Sequence, residues 1–413
     1  MKDDFVCRVE DYASFLTSTR RALHAMPELS FRETETLDFL LSLLADAGCE
    51  KRRLSCGSLA LFFDFGKEKT AAFRCELDGL PLTELTGAEY ASKRDGFMHA
   101  CGHDGHMAVC AALARLLNGL SQKEKAYAER NALILFQSGE ESLGGAQAVV
   151  DGGIFEETRT DRIFALHLWP GLPKGKIFSK AGAVLAQNAE ADIFVGCPQS
   201  HAADDGPDSL AAAARLKLSL EKDISLLGNA KNPCLLKFGR LTMCDNAEVM
   251  HGGGLSAEIR RIERSLKSVS GNTAAVSGGA SGARNIIGGC YKLEGTLRAL
   301  DSKLFSLAEQ KIKAAVSDCR AKGYSVFCSL REGSGAVTNC PRLFSLAQRA
   351  ADVCELPAPF LQSEDFSAYA RCCPSLYMFL GVGDTYPLHS PYFDFDESVL
   401  KKGLETFVTL FFS

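Results

Sequence analysis

Residues 96–106, Gly-Phe-Met-His-Ala-Cys-Gly-His-Asp-Gly-His, put a thiol, three imidazoles and a carboxylate into one short stretch. Imidazole and thiolate are the donors that zinc and its neighbours take up most readily, so the stretch reads as a metal site. Only a glycine separates Cys101 from His103. On a tightly turned backbone their sulfur and ring nitrogen reach one ion, and Gly102 and Gly105 lift the steric bar to turning. A turn whose histidines only hydrogen-bond is the plain alternative, and the clustering of His99, Cys101, His103 and His106 weighs against it. His106 is expected to open an apolar helix, Met107 to Leu117.

Further donors stand at the ends of apolar runs. Leu59 to Phe65 and Thr70 to Cys75 have strand length and flank Gly66-Lys67, which predicts a hairpin-like pair, with Glu76 and Asp78 directly after it. Ala132 to Phe136 predicts a buried strand that runs into Gln137-Ser-Gly-Glu140-Glu141, then Gly144-Gly145 and an apolar helix, 146–150. Ile163 to Leu168 carries His167 at a strand end, and His389 stands in a His-Ser-Pro turn. Carboxylates and imidazoles at such ends occupy functional positions in α/β folds.

The candidate ligands are therefore Cys101, His103, Glu141, His167 and His389, with Asp78, Asp104, His106 and Glu140 in reserve. Five is one more than a closed structural zinc site needs. The set suits two divalent ions sharing a water, the arrangement of metal-assisted hydrolysis. One member of the Glu140-Glu141 pair would bind metal and the other would act as general base, and spacing does not decide which. No Gly-x-Ser-x-Gly elbow or phosphate-binding loop supports serine-hydrolase or nucleotide chemistry.

A chain of 413 residues with 46% hydrophobic and 23% charged content is globular and long enough for two domains. Helical spacing marks 11–24 and 32–47, and a charged linker spans Ser121 to Arg130. From Gln187 the order becomes β-α-β-β-α-β, a ferredoxin-like unit. Residues 243–280 fit no element of that unit and read as an inserted amphipathic helix, Leu255 to Val269, on Gly- and Ser-rich arms. The first pattern resumes after Asn339. The expected division is 1–186 and 334–413 for the catalytic domain and 187–333 for a domain inserted into it. A net charge of -5 without basic blocks implies no nucleic-acid partner. The charged N-terminus carries no signal-like apolar core and no run spans a membrane, so sixteen dispersed cysteines are expected as reduced thiols in the cytoplasm.

The chain resembles the metal-dependent aminoacylase/carboxypeptidase amidohydrolases, in the branch of N-acyl-amino-acid amidohydrolases, hippurate hydrolases and plant auxin-conjugate hydrolases. The resemblance runs nearly end to end. It rests on Arg21-Ala-Leu-His24-Ala-Met-Pro27-Glu28-Leu29, Met98 to His106, Phe136 to Glu141 with Gly144-Gly145, and His167-Leu-Trp-Pro170. Ser200-His-Ala-Ala203, Ala283-Arg-Asn-Ile-Ile287, Gly295-Thr-Leu-Arg298, Ser363 to Phe366 and His389-Ser-Pro391 complete it. It implies α/β architecture: a mixed-sheet, zinc-peptidase-like catalytic domain with an inserted ferredoxin-like lid and dimerisation domain. It also implies metal on Cys101, His103, Glu141, His167 and His389, and Glu140 as base. His201 would reach the partner's site in a homodimer, with Asn285 and Arg298 near the substrate carboxylate.

The chain departs from that pattern in three places. Glu76 replaces an aspartate in Arg74-Cys-Glu76-Leu-Asp78, so Asp78 is the expected acceptor for a ligand imidazole. Asp204-Asp205 follow His201-Ala-Ala in place of Pro-His, and 243–280 interrupts the lid. The expected activity is hydrolysis of the amide of an N-acyl-amino acid with two zinc, manganese, cobalt or nickel ions. A dipeptidase, an aminobenzoyl-glutamate-type hydrolase and a catalytically silent metal-binding scaffold are the alternatives.

Overall fold

In the computed structural model, residues 8–142, 144–203, 206–244 and 286–413 are described. The chain divides into two units: one runs to Leu185 and takes up again at Val337–Phe360 and Glu364–Ser413; the other is Ala186–Ala336 with Leu361–Ser363.

The first unit is built on an eight-stranded mixed sheet in the order Glu50–Arg53, Leu59–Phe63, Asn131–Gln137, Thr70–Glu76, Thr160–Pro170, Ser375–Gly383, Ile177–Ser179 and Cys354–Glu355. Thr70–Glu76 lies parallel between Asn131–Gln137 and Thr160–Pro170, and Ser375–Gly383 runs parallel to Thr160–Pro170. The C-terminal ends of these strands therefore open on one edge. Central strands covered on both faces read as unbroken apolar runs. Thr70–Glu76 and Asn131–Gln137 are buried at every position.

Alternation divides their side chains between two cores. Ala71, Phe73 and Cys75 join one core with Leu113 of helix His103–Asn118 and Phe407 of helix Leu400–Phe411. Ala72 joins the other with Val149 of helix Gly145–Asp151, Phe366 and Tyr369.

The expected hairpin is wrong. Leu59–Phe63 pairs antiparallel with Asn131–Gln137, which intervenes between it and Thr70–Glu76. A double-sided apolar strand belongs at the sheet centre, and two glycine-linked runs of strand length do not reveal what is inserted between them. Two other expectations change. The charged linker contains a helix, Gln122–Tyr127, closed by a Ser121–Glu124 capping box. The helix expected to begin at His106 begins at His103, because Gly102 takes a left-handed φ of 82° and turns the chain into it.

The second unit has strands Gln187–His201, Cys234–Met243, Ile286–Ala299 and Ser325–Glu332 in an antiparallel sheet ordered fourth, first, third, second. Helices Ser209–Ser225 and Ser302–Ala321 pack on it through Ala212, Leu216, Ile312 and Val316. Asp208 and Asp301 cap the two helices. This is the ferredoxin-like order. The inserted helix expected at 255–269, like most of 243–280, falls outside the described residues. The cysteines at described positions are free thiols. Among the described residues, no helix is long and apolar enough to cross a membrane.

Helix His103–Asn118 is fixed at its start by a buried ion cluster. Arg20 and His24 both donate to Asp104, at 2.7 and 2.8 Å, and Arg20 continues to Asp394 at 2.8 Å. Burial disfavours a charged His24, but Asp104 and Glu84 outweigh it and hold its pKa up to about 9. A folded pKa above the unfolded value of about 6.5 gives stability that is complete below that pH and is lost as pH rises through about 9. Thermal melts should show the midpoint falling by a few °C over this window. His24→Gln should abolish that slope; an unchanged slope in the variant would assign it to other groups.

Candidate active site

The C-terminal edge of the sheet gathers the sequence-selected residues of the first unit. Strand Thr70–Glu76 delivers Glu76 and, just beyond it, Asp78; Asn131–Gln137 delivers the Ser138–Glu141 turn; Thr160–Pro170 delivers His167. Cys101 and His103 come from the Gly102 turn. His389 adopts a left-handed φ of 65°, and its N–H donates to Ala100 O at 2.9 Å.

Donor atoms of Cys101, His103 and His167 lie within 4.8 Å of one another, as do those of Cys101, Glu141 and His389, and of His103, Glu140 and Glu141. The five expected ligands are thus brought together in two trios that share the Cys101 sulfur.

Hydrogen bonds settle the tautomers. His103 donates from Nδ1 to the Asp78 carbonyl at 2.8 Å, and His167 donates from Nδ1 to the Leu168 carbonyl at 2.7 Å. A carbonyl only accepts, so in each neutral ring the Nε2 lone pair is left for another partner. His167 Nε2 lies 3.4 Å from Cys101 Sγ. His103 Nε2, Asp78 Oδ1 and Glu141 Oε1 are buried without a hydrogen-bond partner. Glu141 Oε1 is also 3.2 Å from His389 Nε2, a contact that lacks hydrogen-bond alignment. Orphaned buried polar atoms are costly unless something else satisfies them. Two imidazole nitrogens, a thiol and carboxylate oxygens in this spacing fit divalent metal ions.

The charge distribution agrees. Burial, then Glu141 and Glu140, push the Cys101 thiol well up. Burial lowers the His167 pKa, with His106 adding to it, so that ring is neutral. His103 is pushed the other way: burial is overcome by its hydrogen bond to Asp78 and the Glu76 charge, raising it to about 10. Burial together with Glu364, Glu141 and Asp365 holds the Glu140 carboxyl well above the usual range. An acid-rich pocket of this kind favours added positive charge.

Three features were not read from the sequence. His106, held in reserve as a ligand, has both nitrogens engaged: Nδ1 donates to Glu76 at 2.7 Å and Nε2 accepts the Leu168 N–H at 2.9 Å. It thereby fixes the backbone that carries His167. Arg74 has no exposed side-chain surface and binds Glu76, Glu364, Asp365 and Gln137. Its alternation with Glu76 along a buried strand was the available signal. Asp78, expected to receive a ligand imidazole through its carboxylate, receives His103 through its backbone carbonyl. Its Oδ1 stands 3.4 Å from that ring, while Oδ2 accepts from Ser30 and the Glu141 N–H.

In the second unit, His201 ends strand Gln187–His201, is exposed, and accepts the Ala203 N–H on Nδ1 at 3.1 Å. Arg298 is half-buried and donates to Leu361 O at 2.9 Å and towards Ser363 Oγ at 3.4 Å. Burial lowers its pKa. Asn285, Asp204 and Asp205 lie outside the described residues.

The model of peptidase family M20/M25/M40 matches residues 72–413. The chain belongs to this family and is an amide-hydrolysing enzyme. It is 29% identical over 404 residues to an N-acetyldiaminopimelate deacetylase of Leuconostoc citreum, covering 94% of this chain and 93% of that protein. It is 28% identical over 399 residues to an uncharacterised hydrolase of Staphylococcus saprophyticus, covering 94% of each. A crystal structure from Bacillus subtilis, described as a dinuclear metal-binding peptidase of the M20 family, shares the fold. Its TM-score is 0.76 and its identity 23%, with 98% of each chain covered.

Because His103 and the Cys101 thiol hold protons that a metal ion must displace, loading should release protons. Titrating zinc or manganese into metal-free protein should give binding heats that change with the buffer's ionisation enthalpy. Apparent affinity should tighten by about tenfold per pH unit for each proton displaced. Buffer-independent heats would contradict the assigned protonation.

Proposed function

We propose that the protein hydrolyses the amide bond of N-acyl-amino acids, releasing a carboxylic acid and an amino acid, with two divalent metal ions on Cys101, His103, Glu141, His167 and His389. The observation that carries this reading is the pair of donor trios sharing Cys101 beside a carboxylate, Glu140, that is itself not needed to complete either trio. Bound ions of this kind polarise an amide carbonyl and make water acidic enough to attack at neutral pH.

Glu140 accepts the proton of the attacking water and returns it to the leaving amine. Its pocket suits that task, because burial and neighbouring acids raise its affinity for a proton. Asp78 acts beside it by holding the Glu141 backbone and the His103 ring. In the second unit Arg298, half-buried and, among the described residues, hydrogen-bonded to the neutral Leu361 carbonyl and Ser363 hydroxyl, binds the substrate carboxylate together with Asn285. That unit is a lid through which two chains form a homodimer, and His201 stabilises the oxyanion in the partner's site. The deacetylase relative, whose name describes removal of an acyl group from an amino acid, supports this substrate class.

The deciding experiment is a panel of N-acyl-amino acids, dipeptides and aminobenzoyl-glutamate, run after chelation and again with zinc, manganese, cobalt or nickel restored. Turnover should be highest on an N-acyl-amino acid and absent without metal. Preference for dipeptides, or no turnover on any member, would replace the reading with a peptidase or a silent scaffold. Glu140→Gln should keep its metal content and lose about 10²–10⁴-fold in turnover, whereas Glu141→Gln should lose metal as well. The reverse pattern exchanges the two roles. Heterodimers of Glu140→Gln with His201→Ala chains should recover about half of wild-type activity, since one site then holds both intact residues. Verified heterodimers as inactive as their parents would eliminate the trans arrangement.

A further inference from the structure

Glu33 is the N-cap residue of helix Thr34–Leu43, yet its side chain makes no hydrogen bond to that helix. The duty falls to Glu28, whose carboxylate accepts the Thr36 N–H at 2.8 Å. Glu33 reaches instead across more than a hundred positions of sequence. Its Oε1 accepts the Gly139 N–H at 2.9 Å and its Oε2 accepts the Ser138 hydroxyl at 2.7 Å. Only 3% of the residue is exposed.

The turn it grips is the one that carries Glu140. Gly139 has a φ of 73°, and a Cβ there would lie 2.4 Å from the Phe31 ring. The Ser138 N–H is taken by Ser58 Oγ at 3.0 Å, and the Glu141 N–H by Asp78 Oδ2 at 2.8 Å. Glu140 is therefore bracketed by two buried carboxylates, Glu33 on the preceding amide and Asp78 on the following one. Asp78 also touches His103, so changing it would disturb a candidate metal ligand. Glu33 touches none of the five, and is the one of the pair that acts on the turn alone.

A buried acid is an expensive way to satisfy a backbone N–H and a hydroxyl, given the negative charge already present at this edge. What it supplies is length: two acceptor atoms on a stem long enough to reach from the start of one helix to the Ser138 hydroxyl and the Gly139 N–H. We propose that Glu33 is a positioning residue for Glu140, fixing the Ser138–Gly139 backbone so that the Glu140 carboxylate is presented to water at the correct place. This rests on the reading of Glu140 as the base.

The test separates length from charge. Glu33→Gln keeps the length and one acceptor for the Gly139 N–H, and loses the charge. Glu33→Asp keeps the charge and withdraws the acceptors by a methylene. Steady-state kinetics, elemental analysis for metal and thermal melts are compared for both, and for Glu33→Ala, in the metal-loaded enzyme. Misplacing a reacting group by about 1 Å costs on the order of 10²-fold. Glu33→Asp and Glu33→Ala should therefore lose about 10²-fold in kcat, with KM and metal content within about twofold of wild type. Glu33→Gln should stay within about tenfold of wild type.

Aspartate outperforming glutamine would overturn the proposal in favour of an electrostatic role. So would kcat near wild type in all three variants, or losses accompanied by equal losses of metal. If the alanine variant does not fold, the ranking of glutamine and aspartate decides alone. Full turnover by Glu140→Gln would instead remove the base assignment itself, whatever the Glu33 variants do.

Discussion

A guanidinium sealed from solvent holds the acidic edge of this sheet together. Arg74 is enclosed by Glu76, Glu364 and Asp365, with Gln137 and Tyr369 completing the polar shell. Three acids around one cation are more than it can balance: burial and Glu364 push the Asp365 carboxyl well up, and burial, Glu364 and Asp365 push the Glu140 carboxyl up as well. Asp365 accepts the Ala146 N–H at 2.7 Å and so ties the helix after the Glu140 turn to the same hub. Removing Arg74 from such a cluster would leave uncompensated buried negative charge, which costs several kcal/mol. The cluster therefore commits four chain segments to one arrangement.

The sheet makes that arrangement available. Parallel strands bring their carboxyl ends to the same edge, and each strand end here hands over a different chemical group. Thr70–Glu76 contributes acids, Asn131–Gln137 contributes the turn with Glu140 and Glu141, and Thr160–Pro170 contributes His167. The price is a central strand buried on both faces that nonetheless carries Arg74 and Glu76 near its end. They are tolerated because each answers the other. Burial drives the Glu76 pKa up, but Arg74 and His106 outweigh it and leave the carboxylate ionised.

Much of this was legible in the sequence. The β-α-β-β-α-β order showed in its spacing, because each strand and helix there has a one-sided pattern. The donors Cys101, His103, Glu141, His167 and His389 stood out because metal-ligating residue types clustered at turns. Pairing in the large sheet was not legible, since unbroken apolar runs such as Leu59–Phe63 and Thr70–Glu76 carry no mark of their neighbours. Nor were partners distant in sequence: Arg74 meets Glu364 and Glu33 meets Gly139 only after folding. The place of His106 was hidden for the same reason, its second partner being a backbone amide that has no residue signature.

Glu76 gains its meaning from this geometry. Its single carboxylate lies against Arg74 on one oxygen and receives His106 Nδ1 on the other. With Nδ1 so bound, His106 presents its Nε2 lone pair to the Leu168 amide, and its capacity as a ligand is spent. The Leu168 carbonyl receives His167 Nδ1, which leaves the His167 Nε2 lone pair directed at Cys101, while the Leu168 amide is held by His106 and through it by Glu76. His103 has its Nδ1 fixed in the same way by the Asp78 carbonyl, so the proton a metal ion would displace is the one on Nε2. Two imidazoles thus turn Nε2 to the shared thiol because each has its Nδ1 committed to a backbone carbonyl. Fixing a ring before the ion arrives spares the cost of ordering it on binding, which is how an outer layer of hydrogen bonds raises the affinity of an inner one.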